Sequence, residues 1–240
     1  MSTIHTPSAT APRAPRTGRV PGWPEIAVGA AAYAVLLGAG ILWIWSIPDD
    51  QGAASGIVSY VVSALAGAGA FAAAVLLRIR GLRSFGIRTV KVTWLLLGAG
   101  LGLGAYLLGI VVSVGYVLLT GDTSNPQGDY HAATSGGLLA FVLAIAFGAI
   151  ATPIGEELLF RGVLANALNR YGAWIGVLGS AAVFALVHGV NIILPIAFVV
   201  GIITALLFRR TGSIWPGVAV HAVNNGISIV IPAVVALSAG

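Results

Sequence analysis

Glu156 and Glu157 stand side by side, Arg161 follows four residues after the second, and His188 and His221 come later in the chain, the last with Asn225 four residues on. A carboxylate and two imidazoles can exchange protons with water as general acid and base. The same groups can hold Zn²⁺ with one position left open for water. Both uses are hydrolytic. The chain has no cysteine, so thiolate nucleophiles, disulfides and Cys-ligated metals are excluded. Neither H-E-x-x-H nor G-x-S-x-G occurs. Gly226-Ile227-Ser228 offers a serine, but no histidine follows it to serve as its base.

The medium around these groups is set by composition. Hydrophobic residues make up 58% of the 240, charged residues 8%, and the mean hydropathy is +0.99. Apolar runs of about 20 residues are long enough to cross a hydrocarbon layer of roughly 30 Å as helices. The sequence therefore predicts an all-α, polytopic transmembrane helical bundle of about seven spans, near 26–47, 53–77, 94–120, 138–169, 172–190, 192–208 and 213–237. Residues 1–24, rich in Pro, Ser, Thr and Ala, lack any hydrophobic pattern and are expected to form a disordered cytoplasmic tail. Residues 25–137 then form three accessory membrane helices, and 138–240 a core that carries the polar groups.

The formal charge of +5 encodes topology and not nucleic-acid binding. Arg13, Arg16, Arg19, Arg78, Arg80, Arg83, Arg88, Lys91, Arg170, Arg209 and Arg210 fall at one face of the predicted bundle, and Asp49, Asp50, Asp122 and Asp129 at the other. By the positive-inside rule the N-terminus is cytoplasmic. Arginine exceeds lysine eleven to one and Ala and Gly abound, the composition of a GC-rich bacterial source, so the expected location is a bacterial cell membrane. The loop from Arg78 to Lys91 is placed to meet anionic headgroups. Trp43, Trp45, Trp94 and Trp215 lie near span ends as interface anchors.

Gly100, Gly102 and Ala105 formally match a dinucleotide fingerprint, but no strand precedes them and no acid lies in their run. Gly98 with Gly102, and Gly100 with Gly104, read instead as small-residue contacts between helices.

Helix geometry organises the polar groups. Glu157 and Arg161, spaced i and i+4, stack on one face in the favourable order for an ion pair. Glu156 points about 100° away and is free to face another helix. His221 and Asn225 share a stripe, as do Phe184 and His188. Measured from Arg170 and Arg210 at about 1.5 Å per residue, Glu156 lies roughly 21 Å deep, His221 about 16 Å, Asn225 about 22 Å and His188 about 25 Å. Ordinary tilts of about 20° absorb the spread. Three separate helices thus carry their strongest polar groups to one depth. Charges in hydrocarbon are costly and mark sites or pathways.

E-E-x-x-x-R, F-x-x-x-H and H-x-x-x-N, in that order, resemble the CAAX protease and bacteriocin-processing family of intramembrane proteases, relatives of the type II CAAX prenyl endopeptidase. The resemblance covers about residues 138 to 237, with Arg209 to Gly217 as the approach to the third motif. It implies an endopeptidase acting on membrane-associated or lipidated, CAAX-like peptides within the bilayer. In it Glu156 is the water-activating base, supported by Glu157 and Arg161. His188, His221 and Asn225 bind water or metal, or stabilise the oxyanion. A Zn²⁺ ion, if used, is expected on Glu156, His188 and His221.

Two rival readings remain at this level: a transporter or proton relay, whose pathways also carry buried Glu, Arg and His, and a non-catalytic membrane scaffold. No internal repeat of the transporter kind is visible. Asn191 and Asn224 are expected to be structural, and His131, in the polar loop 121–131, solvated.

Overall fold

A computed structural model describes residues 20–124 and 126–238. The described residues form eight helices and no strand: α1 (Trp23–Trp45), α2 (Gly52–Leu77), α3 (Val92–Thr120), α4 (Gly128–Ser135), α5 (Leu138–Tyr171), α6 (Ile175–Leu186), α7 (Ile193–Thr211) and α8 (Trp215–Ser238). Apolar runs become helices because only a helix satisfies all of its backbone polar groups within one segment when water is absent. Six of the eight, α1, α2, α3, α5, α7 and α8, are long and apolar enough to cross a membrane. The chain is an all-α integral membrane protein.

The expected span at 172–190 is shorter than drawn. It is α6, whose length from Ile175 to Leu186 rises only about 18 Å, well short of a hydrocarbon layer of roughly 30 Å. Starting near Arg170, it stops part-way and the chain turns back at Gly189, whose φ of 87° suits a residue without Cβ. Asn191 clamps this turn: its Nδ2 donates to the His188 carbonyl at 3.1 Å, and its Oδ1 accepts from the Ile193 N–H at 2.8 Å. Non-helical backbone at this depth is tolerated where it lines a cavity. The turn does so, and it sets His188 at the end of a helix and not along its side.

The helices pack through small residues. Gly67 of α2 crosses α5 at Gly155, where an added Cβ would lie 2.5 Å from the Gly155 carbonyl carbon. This contact fixes the helix one residue before Glu156. Gly98 and Gly102 of α3 face the backbone of α8 at Pro216 and Val220, as expected, but Gly100 and Gly104 have nothing within contact range and do not pack. Gly102→Ala should therefore destabilise the bundle by about 1–3 kcal/mol through overpacking. Gly104→Ala should be neutral or stabilising by up to about 1 kcal/mol through helix propensity. Thermal unfolding in matched detergent checks the pair.

Residues 1–19 of the expected tail, with Arg13, Arg16 and Arg19, lie outside the described residues. The rest of it is tied down. Arg170 Nη2 donates to the Pro21 carbonyl. The Gly22 N–H donates to Glu25 Oε2 at 2.7 Å, and Trp23 Nε1 donates to the Tyr171 hydroxyl at 2.7 Å. Glu25 is fully buried and meets Arg78 Nε at 2.6 Å, joining the start of α1 to the end of α2.

Candidate active site

α5 is not a uniform α-helix. It widens into π-helical turns at Ala144–Ala151 and Glu157–Ala165, flanking the segment that carries Glu156. Such turns shift the angular position of side chains and recur at functional sites. Both glutamates consequently face α8, each by one carboxyl oxygen. Glu156 Oε2 lies 3.7 Å from His221 Nδ1, and Glu157 Oε1 lies 3.4 Å from the same nitrogen. The other oxygen of Glu156 is 3.9 Å from His188 Nε2. Glu156, His188 and His221 are thus gathered from α5, the end of α6 and α8. Separations of 3.4–3.9 Å exceed direct hydrogen bonds and leave gaps that a water can bridge.

The tautomer of His188 follows from its surroundings. Its Nδ1 lies 2.8 Å from the Phe184 carbonyl, which can only accept, so Nδ1 carries the hydrogen. In the neutral ring Nε2 then presents a lone pair toward Glu156. The i, i+4 spacing of Phe184 and His188 is what permits this bond. The Phe184 ring also packs edge-on to His188 with centroids 4.6 Å apart and lies 5.2 Å from the His221 ring.

Glu157 and Arg161 form the expected pair, Nη1 to Oε1 at 3.4 Å, with both side chains fully buried. Arg161 also donates from Nη2 to the Gly201 carbonyl at 3.2 Å and places its guanidinium 4.7 Å over the Phe184 ring. Glu157 Oε2 rests against Gly217, where an added Cβ would collide with it. Gly217→Ala should accordingly displace the carboxylate and lower the unfolding temperature, whereas the same change at Gly104 should not. Side-chain exposure falls from 28% at His188 to 11% at Glu156, 4% at His221 and zero at Glu157 and Arg161. Water therefore meets the first two and the ion pair backs them.

Asn225 shares its stripe with His221 and is also held by a neighbouring helix. It donates from Nδ2 to the Gly148 carbonyl at 3.1 Å, bracing α8 against the first π-helical stretch of α5, and its Oδ1 accepts from Asn224 at 3.3 Å. One amide hydrogen of Asn225 stays available.

Glu156, His188, His221 and Asn225 all line one chamber of about 720 Å³, within the range of substrate pockets. Tyr33 of α1, Tyr60 of α2 and Tyr130 of α4 line it too, with the Tyr60 and Tyr130 rings 4.6 Å apart. None of the three was singled out from sequence. An aromatic hydroxyl in an otherwise apolar run was the available signal for Tyr33 and Tyr60. His131, expected to be solvated, also lines the chamber, because α4 packs inward against α2 and α8.

The donor types suit Zn²⁺. Among the described residues no group of three or more His, Asp or Glu side chains is arranged to hold a metal ion.

Comparison with curated proteins and with solved structures gave no match. Residues 138–227, from the start of α5 to just past Asn225, match the family model described as type II CAAX prenyl endopeptidase Rce1-like. Over that segment, which holds every motif residue of the site, the chain is similar to the Rce1-like type II CAAX prenyl endopeptidase family.

Proposed function

We propose that the protein is an intramembrane endopeptidase in which Glu156 activates the attacking water. The observation that supports this most is the placement of the Glu156 carboxyl between two imidazoles, at 3.7 and 3.9 Å, as the one acidic side chain lining the chamber.

A water in that gap gives one hydrogen to Glu156 and the other to the His188 Nε2 lone pair. Glu156 takes its proton as the oxygen attacks the peptide carbonyl, forming the C–O bond. Charge that gathers on the carbonyl oxygen is met by the free Asn225 amide hydrogen and by His221. The C–N bond then breaks, and Glu156 passes its proton to the departing amine. Glu157 and Arg161 hold α5 in register and keep His221 oriented. No step requires a metal.

The substrate class follows the family description: a membrane-associated or lipidated peptide of the CAAX type. We place the N-terminus and the arginine-rich ends in the cytoplasm of a bacterial cell. Asn225→Ala should lower kcat about 10²–10³-fold, the loss typical of one oxyanion donor, with little change in KM.

Purified protein reconstituted in liposomes with a panel of lipidated and membrane-spanning peptides, beside Glu156→Gln, tests the reading. New peptide termini that vanish in the variant support it. Proton-coupled flux without cleavage would transfer the site to a transporter.

A further inference from the structure

The bundle has two chemically distinct ends. α2 and α5 finish beside Arg78 and Arg170, α7 finishes at Arg209 and Arg210, and α3 begins after Lys91. The opposite end carries Asp49, Asp50 and Asp122 in the connections between helices and Asp129 in the first turn of α4.

The chamber occupies only one side of this division. On α2 its lining reaches no deeper toward the arginine-rich end than Ser63, on α3 no deeper than Tyr106, on α7 no deeper than Val200 and on α8 no deeper than His221. On α5 it stops at Glu156. From those levels it extends to Pro126 and Gln127, in the connection after Asp122, and to His131 of α4, two residues after Asp129. Among the described residues, none of the arginine-rich ends lines it. Beyond Glu156 the space is filled: Phe85 and Arg161 are fully buried, Val163 is 1% and Phe160 3% exposed. Glu156 and His221 form the floor of a cavity whose lining continues from there toward the aspartate-rich end.

We infer that substrate reaches Glu156 from the aspartate-rich end of the bundle, past α4, and that the segment occupying the chamber is uncharged. The second part follows from the lining, which contains no Asp, Lys or Arg and, apart from its histidines, only Glu156 as an ionisable charge at neutral pH. A charged side chain would enter without a counter-ion, at the several-kcal/mol penalty of unpaired burial. The inference rests on the proposed peptidase reading for the identity of the guest, but the entry side stands on the cavity alone.

The chain has no cysteine, which allows a direct test that needs no catalysis. Ser113→Cys and Ser228→Cys place thiols in the lining on α3 and α8, Asp49→Cys marks the aspartate-rich end and Arg80→Cys the other. Each variant is treated with a membrane-impermeant maleimide in intact cells and in inverted vesicles, and the mass shift of one adduct is read. The chamber thiols should gain the adduct in whichever preparation labels Asp49→Cys, and not in the one that labels Arg80→Cys. Adducts that follow Arg80→Cys would overturn the inference. So would chamber thiols that react from neither side yet label fully after denaturation. If sidedness holds while no peptide is cleaved, the peptidase reading fails and the entry path survives. Where cleavage is observed, the adduct on Ser113→Cys should abolish it, and lysine substitutions beside the scissile bond should reduce it.

Discussion

Glu156→Gln is expected to lower peptide cleavage by about 10²–10⁴-fold, the usual contribution of a positioned general base, while the helical content and unfolding temperature stay close to those of the parent. The amide has the same shape and can still face the His188 and His221 rings, so the walls of the chamber keep their contacts. What it loses is the capacity to take a proton from water. No neighbour replaces it, since Glu157 is fully buried behind it and already paired with Arg161. Initial rates on a peptide shown to be cut by the parent, with circular dichroism on the same samples, measure both halves of the expectation. Unchanged rates would remove Glu156 from the chemistry.

Arg161→Met should produce the largest loss of stability. Its guanidinium is wholly enclosed, facing Glu157 at 3.4 Å, Gly201 and the Phe184 ring. Removing it strands Glu157 as an unpaired buried charge, which typically costs about 3–5 kcal/mol. The double variant Glu157→Leu with Arg161→Met removes both charges and should regain most of that loss, because apolar replacement of a whole buried pair is often neutral or better. Unfolding measurements on the two single variants and the double variant read the coupling. Cleavage should not return in parallel, because His221 then loses the Glu157 oxygen that orients it at 3.4 Å. A double variant that recovers stability and full activity together would reduce Glu157 and Arg161 to packing alone.

What was legible in the sequence is what a helix determines by itself. Rise per residue put Glu156, His188, His221 and Asn225 at one depth, and the i, i+4 spacing gave the Glu157–Arg161 pair, which the structure contains. Direction around each helix was harder, since it depends on neighbours. Glu157 was expected to pair with Arg161, and the π-helical turns of α5 also bring it to His221. Asn225 shares its stripe with His221 but bonds Gly148, because α8 lies against the first widened stretch of α5.

The tyrosines of the chamber come from α1, α2, α3 and α4, outside the segment that carries the family motifs. Local pattern gave no reason to connect them with Glu156, and only tertiary packing does. The premature end of α6 was likewise hidden. Residues 172–190 are apolar apart from Ser180 and His188, and the turn that Gly189 and Asn191 make is seen only in the structure.

The whole account depends on Glu156 and His221 standing together across the interface of α5 and α8. In the cysteine-free chain, Glu156→Cys combined with His221→Cys can be treated in native membranes with dibromobimane, which fluoresces once it bridges two neighbouring thiols. The expected result is a fluorescent protein whose mass shows one bimane joining both cysteines, with no bridge in either single variant. Two separately alkylated thiols and no bridge would contradict it.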